Sequence, residues 1–373
     1  MDALAATPTA ASAPGALPTP REVAARGPIR VAVIGATGYA GGEAVRWLAG
    51  HPRVELVGVI SRSREGEPLE GTQPHLARTG LTLGTDIPSA DAVFLALPHG
   101  QAAAIVPALL ATGSAVIDLG PDFRLRDPAA YPTWYGFEHP APELLARAVY
   151  GLPELHRAEL AALGTTTGAI VGAPGCYPTA ALLALAPLLR VGLVGDVVVD
   201  AKSGVSGAGR DARPELTFAE VNESVRAYGV AGHRHTAELE QELTALTVDS
   251  GADPPVPVDF VPHLVPMTRG ILATCHVRPN RAVTQAELDA LYEAAYADEP
   301  FVHVVAEPPA TKHVLASNEA RVYVRLQPRS GRIVAIGAID NLAKGAASQG
   351  VQAFNLVFGL EETTGLGALP VAP

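Results

Sequence analysis

Cys176 lies in a turn whose neighbouring residues favour nucleophilic chemistry. Cys176 occupies the stretch APGCYPTA, and proline is favoured at the first position of a helix, so we predict that a helix begins near Pro178, just after the cysteine. A helix N-terminus lowers the pKa of a neighbouring thiol, and its free amides hold an oxyanion. Cys176 is therefore a candidate nucleophile, although free cysteines are also commonly buried and inert. Cys275, within the apolar stretch ILATCHV, is predicted to be structural.

Two histidines could serve this cysteine as its acid or base. His233 and His235 occur in AGHRHTAELEQEL, ahead of a second predicted helix with Thr236 as its expected N-cap. A helix N-terminus disfavours the imidazolium ion, so a histidine there stays neutral and can accept a proton. Either histidine could instead be structural. A metal site formed by the two histidines and Cys176 is a less favoured alternative.

A basic, glycine-rich segment could bind the anionic part of a substrate. In KSGVSGAGRDAR, residues 202–213, hydroxyl and amide groups can bind anionic oxygens, and Arg210 and Arg213 can clamp a carboxylate or phosphate. Arg124, in DFRL, is a further candidate for the same task. A solvated flexible loop and a surface salt bridge are the respective alternatives.

The composition limits the classes of partner. The chain has 373 residues, 48% of them hydrophobic, and a formal net charge of -11. This length suggests two domains, or one large domain with extensions, and the acidic balance argues against nucleic acid as a partner. No run approaches the roughly 20 apolar residues of a membrane span, so no membrane partner is expected. Residues 1–27 lack the features of a signal peptide and are predicted to be a disordered tail. Because the chain has only two cysteines, we expect a cytoplasmic protein.

The elements ahead of these residues predict a dinucleotide-binding domain. Predicted buried strands at 29–34 and 54–61 enclose a glycine turn and a helix at 43–49. The spacing G-x-x-G-x-x-G lets backbone approach a pyrophosphate at the start of a helix. Further strands at 92–100 and 115–120, joined by a helix at 101–112, predict an α/β Rossmann-type fold with a parallel sheet and helices on both faces.

The residues after the second strand favour NADP over NAD. NAD-binding proteins usually place an acidic residue there, whereas this chain has SRSRE, and serine and arginine suit a 2′-phosphate. The LPHG segment should face the same cleft, because ligands bind beyond the carboxyl ends of parallel strands. The expected cofactor contacts from these segments are Gly35, Thr37, Gly38, Tyr39, Ala40, Gly41, Ser61, Arg62, Leu97, Pro98 and His99.

A second domain follows, with longer predicted strands and fewer helices. Longer strands from about residue 194, with clear helices only near 236–248 and 284–297, predict an α+β catalytic and oligomerisation domain with a mixed, largely antiparallel sheet. The final segment has helical spacing. The expected division is a tail at 1–27, a dinucleotide-binding domain at 28–175, a catalytic and oligomerisation domain at 176–340, and a C-terminal helix at 341–373 that packs back on the nucleotide domain.

Eight stretches occur in order between about residues 29 and 360: GATGYAGGE, SR after the second strand, ALPHG, DFRLRD, PGCYPTA, SGVSGAGR, HRHTAE and NLAKGAA. Together they resemble the N-acetyl-gamma-glutamyl-phosphate reductase family of arginine biosynthesis, which is related to aspartate-semialdehyde dehydrogenase. The pair PGCYPT and HRHT favours the former family over the latter. The chain departs from the family at Gly120-Pro121, usually Ser-Ala, and at Ser348, commonly Gly.

The resemblance assigns roles to individual residues. It implies that Cys176 is the nucleophile and that a histidine of HRHT is the acid–base group, His235 ahead of His233. It implies NADPH as the cofactor, with additional contacts from Ser203, Gly204 and Asn341. The implied substrate contacts are Arg124, Tyr177, Ser206 and Arg210.

The resemblance also implies a reaction and an assembly. The Cys176 thiolate would displace phosphate from N-acetyl-L-glutamyl 5-phosphate, and the resulting thioester would accept hydride from NADPH to give N-acetyl-L-glutamate 5-semialdehyde. A homo-oligomer, commonly a homotetramer, would form through the sheet of the second domain. Two alternatives remain open: a reductase of carrier-protein-linked aminoadipyl phosphate in lysine biosynthesis, and a non-catalytic NADP-sensing protein.

Overall fold

Two seven-stranded sheets organise the chain. The computed structural model describes residues 17–249, 256 and 258–372, so the first 16 residues of the predicted tail lie outside the described residues. The strands of the first sheet are β1 (Ile29–Ile34), β2 (Val54–Ile60), β3 (Leu83–Gly84), β4 (Ala92–Leu95), β5 (Ala115–Asp118), β6 (Ala148–Tyr150) and β7 (Ile170–Gly172). Those of the second are β8 (Val194–Ser203), β9 (Arg226–Ala227), β10 (Val258–Leu264), β11 (Ile271–Pro279), β12 (Val302–Val304), β13 (Ala320–Leu326) and β14 (Ile333–Ile339).

Helices connect and cover both sheets. The α-helices are α1 (Pro20–Arg26), α2 (Tyr39–Ala49), α3 (Gln101–Ala111), α4 (Ala130–Tyr135), α5 (Pro153–Leu163), α6 (Cys176–Arg190), α7 (Phe218–Val221), α8 (His235–Asp249), α9 (Gln285–Tyr296) and α10 (Ser348–Val357). Short 3₁₀ helices cover Leu69–Gly71, Pro74–Thr79, Pro142–Arg147, Val205–Ala208, Pro214–Leu216 and Thr311–Val314, and a π-helix covers Ala343–Ala347.

The first sheet is parallel throughout, in the order β3-β2-β1-β4-β5-β7-β6. Its central strands β1, β4, β5 and β7 are short, mostly apolar and almost entirely buried, as strands covered on both faces must be. The order reverses between β1 and β4, and both strands end beside the glycine turn. This is the switch point at which such sheets bind nucleotides, and the predicted α/β fold is confirmed.

The second sheet is mixed, in the order β12-β13-β14-β11-β8-β10-β9. Four of its pairings are antiparallel, whereas β8–β10 and β12–β13 are parallel, which confirms the predicted mixed, largely antiparallel sheet. Helices α6, α8 and α9 bury one face in a common core. The alternate side chains of the central strands remain partly exposed on the other face, among them Val198, Leu272, Ile336 and Tyr323.

The two chain ends pack on the first sheet. Phe354 of α10 shares a core cluster with Val31 of β1. Residues 20–26 lie in the predicted disordered tail, and there the structure differs, because they form α1. Thr19 and Glu22 form a capping box, and Ala24 is buried in the same cluster, so the helix has both a local start signal and a packing site. No helix in the described part of the chain is long and apolar enough to cross a membrane.

Candidate active site

Cys176 is the first residue of α6 rather than the residue before it. Gly175 is the N-cap, without a side-chain cap hydrogen bond, and Pro178 occupies the third helical position. The prediction of a helix start at Pro178 is therefore wrong by two residues. Proline is tolerated anywhere in the first turn, because the amides there have no intrahelical partner. The thiol still lies at a helix N-terminus whose first amides are free.

The Cys176 thiol is harder to ionise than the sequence suggested. Burial raises its pKa to about 11, and this effect outweighs the charge of Arg124 and the backbone N–H of Tyr177, both of which favour the thiolate. The predicted lowering of the pKa is wrong, because desolvation penalises a charged sulfur more than the helix end stabilises it. The thiol is therefore protonated near neutral pH and needs a base.

His235 is the first candidate for that base. It is the first residue of α8, so the predicted N-cap Thr236 lies inside the helix. A Cβ on Gly175 would lie 2.5 Å from His235 Nε2, which means that the ring packs directly on the backbone next to Cys176. Burial, together with His233 and nearby arginines, holds the pKa of His235 well below its usual range, and its Nδ1 is buried without a hydrogen-bond partner. The imidazole is therefore neutral and able to accept a proton.

His233 occupies an aromatic pocket instead. Its ring lies 5.4 Å from Phe260 and 5.5 Å from Tyr228, and its Nδ1 accepts a hydrogen bond from the backbone N–H of His235 at 3.2 Å. Burial and the adjacent Arg234 lower its pKa to about 4. These contacts hold the His233 ring against the start of α8, with its centroid 4.8 Å from that of the His235 ring.

Glu238 is the central residue that sequence reasoning missed. Its fully buried carboxylate accepts hydrogen bonds from the Gly175 N–H at 2.8 Å, from Tyr150 Oη at 3.1 Å and from Arg124 Nη1 at 3.1 Å. Its Oε1 lies 3.8 Å from His235 Nε2. Glu238 therefore ties the N-cap of α6 to α8. The available signal was its position one helical turn after His235, on the same face of α8.

A continuous cleft connects the glycine turn with Cys176. Its volume is about 710 Å³, and it lies between the two sheets. The predicted residues that line it are Gly35, Thr37, Gly38, Tyr39, Ala40, Gly41, Leu97, Pro98, His99, Arg124, Cys176, Ser206, Arg210, Arg213, His235 and Asn341. The structure therefore brings most of the sequence-derived candidates into one site.

The glycine turn fits a dinucleotide phosphate. A Cβ on Gly35, whose φ is 85°, would collide with Ala96 O, and one on Gly41 would collide with Gly35 O, so both positions exclude side chains. Helix α2 begins without a side-chain cap hydrogen bond at Gly38. Its first amides have no intrahelical acceptor and border the cleft, as an anion site at a helix N-terminus requires.

The other predicted cofactor residues do not all line the cleft. Ser61 and Arg62 follow β2 beside the turn; Ser61 is buried, and Arg62 is exposed and donates to Gln101 Oε1 at 3.4 Å. Asn341 Nδ2 donates to Ser206 Oγ at 2.9 Å, so these two residues support each other on the cleft wall. Gly204 does not line the cleft.

Gly204 and Ser203 instead have local roles. A Cβ on Gly204 would lie 2.7 Å from Thr268 O, so this glycine permits a close backbone approach. Ser203 Oγ donates to Gly204 O at 2.9 Å, and Ser203 borders the cavity beyond Cys176. The glycine and serine types in this loop therefore shape the backbone on which the site stands.

Three predicted substrate contacts are engaged with the protein itself. Arg124 is buried and donates to Ala173 O, Leu119 O and Glu238 Oε1. Arg210 Nη1 donates to Thr37 O at 3.0 Å and to Thr72 O at 2.6 Å, which places it against the glycine turn. Tyr177 is buried, and its hydroxyl donates to His263 O at 3.1 Å. Residue type alone could not reveal these acceptors.

A second cavity, of about 460 Å³, adjoins the cleft at Cys176, and the two share the lining residues His235, Arg213 and Arg234. It also contains His233 and His235, and three arginines line it: Arg213, Arg226 and Arg234. Arg234 Nη1 lies 2.9 Å from His99 Nε2. In the described part of the chain, the side chains of Arg213 and Arg226 form no hydrogen bond or ion pair. Arg226 was missed, because in sequence it is one arginine in an irregular segment.

Two family models match consecutive parts of the chain. One, described as semialdehyde dehydrogenase, NAD binding domain, matches residues 30–163, and the other, semialdehyde dehydrogenase, dimerisation domain, matches 176–341. An N-acetyl-gamma-glutamyl-phosphate reductase of Desulforudis audaxviator is 49% identical over 348 residues, covering 91% of this chain and 98% of the relative. One of Symbiobacterium thermophilum is 49% identical, covering 92% and 99%. This chain belongs to the N-acetyl-gamma-glutamyl-phosphate reductase family.

Solved structures support the same fold. An aspartate semialdehyde dehydrogenase II from Vibrio cholerae superposes with a TM-score of 0.67 at 17% identity, covering 88% of this chain and 98% of that one. The enzyme from Candida albicans, solved with NADP, has a TM-score of 0.61 at 15% identity, covering 89% and 98%. As a member of the N-acetyl-gamma-glutamyl-phosphate reductase family, the chain is an NADP-dependent oxidoreductase. No group of three or more potential metal-binding side chains occurs among the described residues.

Proposed function

We propose that this chain reduces N-acetyl-L-glutamyl 5-phosphate with NADPH, giving N-acetyl-L-glutamate 5-semialdehyde and phosphate, through a thioester on Cys176. One observation carries the proposal. Cys176 lies where the cleft beside the glycine turn meets the arginine-lined cavity, with the neutral His235 packed against its N-cap. A nucleophile at such a junction can exchange an acyl group on one side and present it to a hydride donor on the other.

The first step uses groups that this chain supplies. His235 accepts the thiol proton as the sulfur attacks the acyl carbon; the C–S bond forms, the C–O bond to phosphate breaks, and the departing phosphate takes up a proton from solvent. The Tyr177 N–H and the start of α6 stabilise the transient oxyanion and the sulfur. Arg124 keeps a positive charge near the sulfur while it is anionic. Glu238 holds Arg124 and the Gly175 N–H in place.

The second step reverses the charge movement at the sulfur. NADPH, when bound, supplies the hydride that a thioester carbonyl accepts. As the C–S bond then breaks and the aldehyde leaves, His235 returns its proton to the sulfur, which restores the neutral pair. Because burial keeps His235 neutral in the free protein, the same imidazole accepts the proton in the first half-reaction and returns it in the second.

The arginines of the second cavity account for the substrate's charges. The substrate carries a carboxylate and a phosphate, and the protein as a whole carries a net charge of -11. Arg213 and Arg226 are exposed to the cavity, with guanidinium groups that no described residue engages. We assign substrate binding to these two residues and to Arg234, because bidentate arginine contacts suit both anions. The earlier candidates Arg124 and Arg210 instead organise the site.

The cofactor site follows from the cleft. We assign the pyrophosphate to the amides that begin α2, and the 2′-phosphate to Ser61 and Arg62 at the end of β2. Leu97–His99 and Asn341 border the remaining path towards Cys176.

The division of the chain and its assembly belong to the same proposal. The two sheets and the two family matches support a dinucleotide-binding domain at 28–175 and a catalytic and oligomerisation domain at 176–340. The partly exposed face of the second sheet is the surface that we assign to a homo-oligomer, up to a homotetramer. Both cysteines are free thiols, which fits the reducing cytoplasm.

The test is NADPH oxidation with freshly generated N-acetylglutamyl phosphate. Turnover is expected for the native protein, and none is expected for Cys176→Ser. The variant His235→Asn should lose at least about 100-fold in kcat, the usual range for an acid–base group. NADPH binding should survive in both variants. Failure to turn over the free acyl phosphate, with turnover of the carrier-linked aminoadipyl analogue, would replace the proposed substrate by that alternative.

A further inference from the structure

We propose that Gln73 is a positioning residue that fixes the glycine turn in its cofactor-binding shape. The inference rests on the proposed NADPH site and concerns a residue to which the mechanism gives no role. Gln73 is buried and lies between two 3₁₀ helices, Leu69–Gly71 and Pro74–Thr79, outside every strand and helix of the catalytic site.

One amide group of Gln73 engages three consecutive peptide groups of the turn. The two N–H groups on its Nε2 are shared among Ala36 O at 3.2 Å, Thr37 O at 3.2 Å and Gly38 O at 2.8 Å. Three successive carbonyl groups therefore converge on one point on the side of the turn that faces Gln73.

The orientation of these carbonyls determines where the turn's amides point. In a trans peptide the C=O of one residue and the N–H of the next are antiparallel. When the carbonyls of Ala36 and Gly38 point at Gln73, the N–H groups of Thr37 and Tyr39 point away from it, and both residues line the cleft. Gln73 thus turns donors towards a phosphate and keeps the carbonyl dipoles, which would repel an anion, away from it.

Helix α2, next to the turn, leaves space at Gly42 for the side chain of Gln73. Gly42, the fourth residue of α2, lies against it, and a Cβ there would collide with Gln73 Nε2. A glycine inside a helix is unfavourable by itself, so its presence at this position has a local explanation. The side chain of Gln73 occupies the space that any other residue at position 42 would fill.

The second domain reinforces the same device. Arg210 Nη1 bridges Thr37 O and Thr72 O, and Thr72 is the residue immediately before Gln73. The catalytic domain therefore contacts both the turn and the segment that holds it. This contact connects the loop that carries Arg210 with the glycine turn.

The experiment compares Gln73→Met with a control in the same loop. Methionine has a similar length but no donor, so the three carbonyls lose their partner. We expect the Kd for NADPH, measured by fluorescence titration without substrate, and the KM for NADPH to rise by at least about tenfold. The kcat at saturating NADPH should stay within about twofold, because Gln73 touches no reacting atom.

Thr72→Val is the matched control. It removes a neighbouring buried hydrogen bond, from Thr72 Oγ1 to Leu69 O at 3.2 Å, but keeps the carbonyl that Arg210 contacts. Its Kd for NADPH should equal that of the native protein, even where its thermal stability falls by as much as that of the methionine variant. A loss of affinity of equal size in both variants would overturn the proposal, because it would reflect general loosening of the loop.

A second variant secures the result. Gln73→Glu keeps the size and polarity but cannot donate when ionised, so it should weaken NADPH binding as Gln73→Met does. If Gln73→Met does not fold, Gln73→Glu takes its place in the titration. Native-like NADPH affinity in a folded variant without the donor would overturn the inference. The titration needs no acyl phosphate, so this outcome is distinct from a failure of the proposed reaction, which would leave NADPH binding intact.

Discussion

At the scale of single residues, the reactive pair is neutral in the free protein. Burial raises the pKa of the Cys176 thiol to about 11 and lowers that of His235 well below its usual value. Both shifts have the same physical origin, because a dry site penalises the thiolate and the imidazolium alike. In the proposed mechanism the pair ionises together when a substrate arrives, since transfer of one proton creates two opposite charges that stabilise each other.

This account predicts a pH dependence for alkylation. With the pKa raised to about 11, the thiolate fraction is small at pH 7 and grows about tenfold per pH unit until the pH approaches that value. We expect iodoacetamide to label Cys176 slowly at pH 7 and progressively faster up to pH 10. Mass spectrometry of the labelled peptide measures the rate.

The only other cysteine provides the control for this measurement. Cys275 is buried in β11, and burial raises the pKa of its thiol further, so Cys176→Ser should remain unlabelled across the same range. Fast labelling at pH 7 with a midpoint below about 8 would contradict the proposed neutral pair.

At the scale of elements, the site depends on two helix N-termini that meet at Gly175. The N-cap of α6 has φ -65° and ψ 148°, a conformation that any residue adopts, so glycine is not required there by backbone strain. It is required because His235, at the start of α8, occupies the space beside it. The distance between the N-termini of α6 and α8 therefore sets the distance between Cys176 and His235.

Gly175→Ala tests this arrangement. The added methyl would lie 2.5 Å from His235 Nε2 and 2.9 Å from Glu238 Oε1, so the ring must move. We expect kcat to fall about 100-fold, the loss typical of a small misplacement of a catalytic group, with unchanged NADPH affinity. Gly367→Ala is the control, because nothing lies within 4 Å of its Cβ position. Equal activity of the two variants would argue against His235 as the base.

The end of β2 carries a separate prediction about the cofactor. Arg62 is exposed, and its only partner in the described chain is Gln101. Removing a charge-assisted contact to the 2′-phosphate should cost roughly 10- to 100-fold in affinity. We expect Arg62→Gln to reduce the preference for NADPH over NADH by that factor, as measured by the ratio of kcat/KM values. An unchanged ratio would place the 2′-phosphate elsewhere.

The sequence predicted the elements better than their contacts. Strands β1 and β2 and the candidates Cys176 and His235 followed from local pattern and motif. The thiol pKa did not, because desolvation depends on packing that only the folded chain has. Glu238 meets Gly175 across 63 residues of chain, and such pairing leaves no local signal.

At the scale of the whole molecule, buried ion pairs connect the two sheets. Arg269, before β11, donates to Glu43 of α2 at 2.9 Å and to Asp340, after β14, at 2.9 Å. Both carboxylates are buried and pair with Arg269, and Glu43 also pairs with Arg46 at 2.6 Å. This connection joins α2, which packs on the first sheet, to the segments that flank β11 and β14 in the second sheet.

Buried histidines make the stability of the molecule depend on pH. The pKa is lowered, mainly by burial, in His51, His99, His139, His233 and His235, to about 4 for His99 and His233. The unfolded chain binds these protons near pH 6.5, so the stability that they contribute is complete above that pH and is lost as the pH falls towards about 4. His156 and Asp118, whose pKa values are raised, oppose this trend.

The contribution of one histidine can be isolated. We expect the free energy of unfolding, from urea titrations at pH 7, 6 and 5, to fall less steeply in His235→Asn than in the native protein. The difference should approach about 1.4 kcal/mol per pH unit below pH 6, the limit for a single group. Parallel pH profiles would show that His235 is readily protonated in the folded state.

The central claim is that the substrate's acyl group is transferred to Cys176, and it can be measured without the reduction step. The protein is mixed with N-acetylglutamyl phosphate in the absence of NADPH and quenched in acid, and then phosphate and intact mass are determined. We predict about one equivalent of phosphate and one N-acetylglutamyl adduct, located by peptide mapping on Cys176 and absent from Cys176→Ser. Phosphate release without an adduct on Cys176, or reduction that persists in Cys176→Ser, would contradict the account.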